Sequence, residues 1–272
     1  AFQYCDNLRS IEVPNSVREI GDEAFAYCDG MESITIPGSV ETLGANLFIG
    51  CDNLVKIKVV GEGGKIRMVD GVLFNGDLTR LIWCSKKKSR SYEIPPTVKT
   101  IDSYAFYFCK ELTSITIPDS ITKTNYGVFY NCSGLETFTI PHSVTSIGDY
   151  AFYSCTSLKS VVIPGSVTSI EDYSFFRCSA LTSIVIPSSV ISIGEEAFDF
   201  CSSLKSVMVP DSVSSIGKNA FYHCGALSSV SIPKSVTSIG DNAFDSCNSL
   251  ETVTIPSGFN YQGNVFPRYA KI

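Results

Sequence analysis

The feature that most constrains this chain is a period. Proline recurs at Pro14 and Pro37, and again at Pro95, Pro118, Pro141, Pro164, Pro187, Pro210, Pro233 and Pro256, with a step of 23 residues inside each group. Cysteine keeps the same step at Cys5, Cys28 and Cys51, and then from Cys109 through Cys247. A fixed period of this length marks an array of supersecondary units that cannot fold singly. The unit 140–162 shows why. Its recurring apolar residues are Ile140, Val144, Ile147, Ala151, Phe152, Cys155, Leu158 and Val161. One coil cannot cover so many side chains, whereas stacked coils bury one another.

Local chemistry divides the coil. Leu112 to Ile117 reads LTSITI. The alternation and β-branched content predict a short strand. Stacked in phase, such strands form a parallel sheet at about 4.8 Å per coil, and about eleven coils make a curved rod roughly 50 Å long. Pro118 lacks an N–H and suits a strand end. Ser120, Ser143, Ser166, Ser189 and Ser212 follow the prolines by two residues, and their hydroxyls can bond the turn and tie it to a neighbouring coil. Gly21, Gly44, Gly148, Gly194, Gly217 and Gly240 predict a second turn with positive φ. The segment around Ala151 is too short for a stable α-helix and predicts a single helical turn.

The period is interrupted between Cys51 and Cys109. The chain therefore reads as one solenoid domain over 1–272: regular repeats 1–58, a long variant unit 59–93, regular repeats 94–254 and an irregular tail 255–272. In the long unit, Asn75-Gly76 separates a strand ending at Phe74 from Leu81-Ile82-Trp83, a strong hairpin signal. The unit 117–139 carries Thr124, Val128 and Phe138 in place of the usual Ile, Ala and Ile, which predicts local repacking. The tail has the character of a C-terminal cap. The start in mid-coil suggests a fragment of a longer protein.

Leu112, Ile115, Ile117 and Ser120 follow the leucine-rich-repeat spacing, with Ser in the Asn place. The whole unit resembles the BspA-like, Treponema-type leucine-rich repeat, and the hairpin at Asp70-Gly71-Val72-Leu73-Phe74 is similar to that family's variant repeat. The resemblance implies a leucine-rich-repeat solenoid with its parallel sheet on the concave face. It also implies a cell-surface or secreted protein that binds a host, matrix or other surface protein. The alternative is an intracellular leucine-rich-repeat scaffold, which free thiols would permit.

The residues themselves say less about chemistry. Net charge is −6, with 21 Lys and Arg against 27 Asp and Glu, and no basic face suggests a nucleic-acid partner. No apolar run is long enough to insert in a membrane. His142 and His223 fall at different phases of the repeat, no nucleophile elbow, P-loop or metal-ligand spacing occurs, and no enzyme, cofactor or metal is expected. In-phase thiols should stand too far apart for disulfides and serve as small core residues. Cys84 is out of phase and is expected to be exposed.

Three surfaces remain as candidates. The outward strand positions give Thr116, Thr139, Val162, Val185, Met208 and Ser231, in which the three apolar residues form a stripe suited to a protein ligand. Against this, β-branched residues simply favour strands. Lys86, Lys87, Lys88 and Arg90 form a possible secondary basic loop, although such a loop is usually only solvated. Tyr107, Tyr130, Tyr153, Phe176 and Tyr222 form an outer aromatic row broken by Asp199, which either contacts partners or shields the Phe row beneath it. An array of Thr also raises ice binding, but Val162, Val185, Met208, Glu12 and Glu93 interrupt it. A monomer or a weak end-to-end dimer is expected.

Overall fold

A computed structural model describes residues 1–61, 64–88, 90–261 and 263–272. The coils stack in the register that the period demands. Ser183–Val185 lies parallel to Ser206–Met208, with Ser183 opposite Ser206 and Val185 opposite Met208. The same shift of one repeat relates Thr137–Thr139 to Ser160–Val162 and Ser229–Ser231 to Thr252–Thr254. A second row of two-residue strands runs beside the first. From Ser146–Ile147 to Ser238–Ile239 it forms one five-stranded parallel sheet.

The third side of the coil holds tandem β-turns, and no helix occurs among the described residues. This corrects the expected helical turn. Ala151 N–H bonds the Gly148 carbonyl at 3.2 Å, Tyr153 bonds Tyr150 at 3.1 Å and Cys155 bonds Phe152 at 3.2 Å. The intervening donors Tyr150, Phe152 and Ser154 reach the next coil, at Asp172, Ser174 and Phe176, over 2.7–3.0 Å. A helix could not point alternate N–H groups sideways. The geometry needs left-handed residues, and Tyr150 and Ser154 have φ of 58° and 57°. Each is the third residue of its turn, where a type II turn requires positive φ. Non-glycine residues in that region are strained, and the coil-to-coil bond that each position allows offsets the strain.

The glycines expected to supply positive φ do not. Gly148, Gly194, Gly217 and Gly240 are absent from the left-handed region. Their role is close approach. A Cβ on Gly217 would sit 2.5 Å from the backbone of Gly194 and Glu195 one coil earlier, and one on Gly148 would sit 2.4 Å from the Thr124 carbonyl. Here the chain passes so near the coil beneath that a Cβ would force backbone to shift.

The core is a set of columns. Phe106, Phe129, Phe152, Phe175, Phe198, Phe221 and Phe244 stack at centroid spacings of 5.0–5.3 Å. Beside them runs the thiol column. Each Sγ from Cys132 to Cys247 donates to the carbonyl of a Phe 26 residues earlier, at 3.1–3.3 Å. All eleven cysteines are free, and all but Cys5 are buried. Burial pushes the Cys51 and Cys247 thiols up to about 12. The serines behave as expected: Ser166, Ser189 and Ser212 donate to Val144, Val167 and Val190 carbonyls of the previous coil at 2.6–2.7 Å.

The long unit builds a wall across this rod. Val72–Asn75 pairs antiparallel with Arg80–Cys84, as the Asn75-Gly76 signal predicts. It also pairs antiparallel with Ile66–Val69, through a turn at Asp70 and Gly71 whose φ values are 47° and 78°. Two positive values mark a type I′ hairpin turn, so Asp70-Gly71 is a turn and the unit holds a three-stranded meander. Val72, Phe74, Leu81 and Cys84 join the core that continues to Phe266, while Leu73, Ile82 and Trp83 join the core of the first three coils. Cys84 is thus buried, contrary to expectation. Its carbonyl takes the place of the missing Phe carbonyl and receives Cys109 Sγ at 3.8 Å. In the unit 117–139, Phe138 wedges between Phe129 and Phe152 at 5.1 and 4.8 Å, and Thr124 Oγ1 accepts the Gly148 N–H at 2.9 Å. The tail covers the last coil: Phe266 stacks on Phe244 at 5.4 Å, and Val253 N–H bonds the Lys271 carbonyl at 2.8 Å.

Two outcomes test this packing. Gly217→Ala should lower stability by about 1–3 kcal/mol, because backbone must move. Gly165→Ala has open space around the new methyl and should be neutral or stabilising by up to about 1 kcal/mol. Denaturant unfolding of the two variants decides; equal costs would mean that close approach does not select glycine. Thiol titration without reductant should find Cys5 alone reacting readily in the native state and all eleven cysteines after unfolding. A shortfall after unfolding would reveal disulfides.

Candidate functional site

The outward strand positions are where the period places them. In each three-residue strand the middle side chain enters the core and the flanking two face solvent. Val162, Val185 and Met208 are 59%, 73% and 75% exposed, on three successive coils. Val185 and Met208 are directly paired in register, and Thr139 is paired with Val162. Thr116, Thr139 and Ser231 are exposed at the flanking coils. Ser160, Ser183 and Ser206 form a parallel file of hydroxyls beside the stripe. Lys159 and Lys205 stand at its edge; Lys159 is held by Glu136 at 2.8 Å. A depression of about 450 Å³ adjoins the stripe, lined by Ser114, Thr116, Asp119, Thr137, Thr139 and His142. The structure thus brings the stripe and its hydroxyl floor together on one face.

The basic loop is different. Lys88 is buried, with its ammonium on the Asp70 carboxylate and 4.4 Å above the Tyr92 ring. Lys86 donates to the Cys51 carbonyl at 2.8 Å and lies 5.2 Å from the Tyr107 and Phe108 rings. Burial pushes its ammonium below the usual lysine value. The loop therefore offers Lys87 and Arg90 to solvent, and not the four cations expected. Lys86 and Lys88 hold the hairpin in place. Arg80, which the sequence reading passed over, does the same on the other flank. It pairs with Asp102 at 2.7 Å and reaches the Leu43 carbonyl at 2.9 Å, so it links coils on both sides of the wall.

The outer aromatic residues satisfy one another. Tyr130 stacks on Tyr153 at 4.5 Å and 5°, and Tyr153 on Phe176 at 4.6 Å and 12°. A second file of Tyr104, Tyr126, Tyr150 and Tyr173 runs alongside at 4.6–5.4 Å. Ring faces in these files lie against one another, while Tyr222 stands apart from the row, beside His223 at 3.9 Å. Sugar stacking needs a free face, so these rows are read as shielding. Acidic residues on the adjoining turn are also structural: Asp149 accepts the Asp172 N–H at 3.1 Å, and Asp172 accepts the Glu195 N–H at 2.6 Å. Among the described residues no cluster of three His, Cys, Asp or Glu side chains could hold a metal ion. Among the described residues no helix is long and apolar enough to cross a membrane.

Comparison with known proteins agrees with this architecture. The model of the BspA type leucine rich repeat region matches six copies, over residues 1–75, 82–190 and 168–270. A leucine-rich repeat protein from Eubacterium ventriosum is 32% identical, with a TM-score of 0.81 over 94% of this chain and 68% of that one. A leucine rich cell surface protein from Faecalibacterium prausnitzii is 28% identical over 90% of this chain and 81% of its own, with a TM-score of 0.40. The pneumococcal vaccine antigen PcpA is 23% identical over 97% of this chain and 62% of its own, with a TM-score of 0.48. No curated protein matches. Repeat period, coil register and family match converge: the chain belongs to the BspA-type leucine-rich-repeat family.

Proposed function

We propose that this chain is a non-catalytic protein-binding module of a cell-surface adhesin, and that its ligand docks on the strand face over Val162, Val185 and Met208. The observation that carries the reading is the exposure of that stripe. The other large apolar rows of the coil are covered by neighbouring coils or by their own stacking. These three side chains stand in water with nothing above them, rimmed by hydroxyls and by Lys205. An apolar centre with a polar rim is the anatomy of a docking surface. A complementary partner presents an apolar knob with acidic groups at its edge.

The thiols do not favour an intracellular scaffold over this reading. Ten are buried, and burial raises the pKa of thiols such as Cys51 and Cys247, so their reduced state reflects inaccessibility more than compartment. Binding to a panel of immobilised extracellular-matrix proteins, by surface plasmon resonance, tests the proposal. Val185→Asp should keep the fold, because the side chain points outward, and should weaken binding about tenfold or more, ~1.4 kcal/mol. Lys87→Glu with Arg90→Glu should change the affinity little. Normal binding by Val185→Asp with loss in the double variant would move the site to the hairpin loop. An absence of binding across the panel would remove the adhesin reading.

A further inference from the structure

The chain has three methionines, and the fold shelters them unequally. Met31 is fully buried in the core of the first coils, and Met68 packs half-buried against the same core. Met208 is 75% exposed, the highest value for any large apolar side chain among the described residues. It ends the strand Ser206–Met208, with Val207 and Val209 turned into the core on either side. Val185 lies in register on the preceding coil. Other coils carry Thr116, Thr139, Ser231 and Thr254 at the same place, so packing does not call for sulfur there.

The remaining sulfur is protected. Ten of the eleven cysteines are buried. Desolvation pushes thiols such as Cys51 and Cys247 up to about 12, which leaves little thiolate for an oxidant to attack. Cys5 is half-buried and sits in the first coil, far along the rod from Met208. On the strand face, a water-borne oxidant meets one sulfur.

We propose that Met208 is an oxidative modification site, where a peroxide converts the thioether to the sulfoxide and turns the end of the apolar stripe polar. A lone pair on Met208 Sδ attacks one peroxide oxygen, and the S–O bond forms as the O–O bond breaks. The proton of the transferred hydroxyl passes to the leaving oxygen. Sulfur gives up two electrons and the peroxide takes them, so hydrogen peroxide departs as water. The product carries a polar oxygen where the stripe was apolar. Covered by an apolar partner surface, that oxygen loses its water without gaining a donor, which weakens association. This consequence for binding rests on the docking function proposed for the stripe; the modification itself does not.

Peptide mass spectrometry of the native full chain, treated with hydrogen peroxide and quenched with catalase, tests the site. Met208 should gain one oxygen first, Met68 more slowly and Met31 last, whereas in guanidinium all three should react alike. Equal rates in the native protein would overturn the proposal. Hydrophobic-interaction chromatography reads the stripe without a ligand. Oxidised wild type should elute earlier than untreated protein, and Met208→Leu given the same peroxide should not shift. An equal shift in both would place the change on another group and overturn the proposal too. On a matrix protein that the untreated chain binds, peroxide should weaken the wild type about fivefold or more and leave Met208→Leu at the affinity it had before treatment. Undiminished binding by fully oxidised wild type would overturn the effect on the ligand. A chain that binds no matrix protein, yet shows the selectivity and the column shift, loses the adhesin reading and keeps the modification site.

Discussion

Coil-to-coil hydrogen bonding in a fixed register is the interaction on which everything else in this protein rests. A coil of 23 residues has little secondary structure of its own. Its backbone donors are satisfied because an identical coil lies one repeat away, in the two strand rows and along the turn side alike. Side chains join the same scheme. Ser189 donates 22 residues back, and Cys201 donates 26 residues back. These donors recur because each serves a carbonyl that recurs. The left-handed Tyr150 and Ser154 have the same origin, since alternate donors must face sideways.

The long unit shows how such a rod absorbs an insertion. A hairpin has two faces, and its period of two sends alternate side chains to opposite sides. Leu73 therefore packs toward the first coils and Phe74 toward the later ones. The Phe column changes character at this wall, where Phe48 meets Trp83 edge-on at 6.4 Å. Arg80 on one flank and Lys86 on the other span the junction with charged hydrogen bonds to backbone carbonyls. Cations that look like a ligand site in sequence serve here as ties between coils.

The faces of the rod differ in what repetition does to them. Aromatic rings on the turn side stack on each other at about the coil spacing and cover their own faces. Short strands cannot do this for Val162, Val185 and Met208, whose side chains rise together from the sheet and leave their tips in water. Repetition thus hides aromatic surface on one side and accumulates apolar surface on the other. Asp199 stands out for the same reason: in a row of self-covering rings, a carboxyl is buried with its Oδ1 left without a hydrogen-bond partner.

The sequence by itself determined the solenoid, its register, the thiol and Phe columns, the Asn75-Gly76 hairpin and the outward stripe. All but the hairpin, which follows from its turn residues, follow from phase, and phase is visible in a string of letters. Only the tertiary structure decided what depends on the distance between coils. The glycine row looks like a positive-φ signal, but backbone from the coil beneath passes within 2.5 Å of the place where a Cβ on Gly217 would stand. The left-handed conformation falls largely on Tyr, Ser, Glu, Phe and Arg residues that carry no such signal, with Asn only at Asn46, Asn131, Asn219 and Asn242. Cys84 looks exposed because it is out of phase, yet the wall carries it into the core. Lys86 and Lys88 read as a free basic patch because the carbonyls and carboxylate that hold them are 18 to 35 residues away. Asp199 and His223, with Oδ1 and Nδ1 3.7 Å apart, come from different phases of adjacent coils. A one-dimensional period fixes which residues repeat, while contacts across phases depend on how the coil is folded in space.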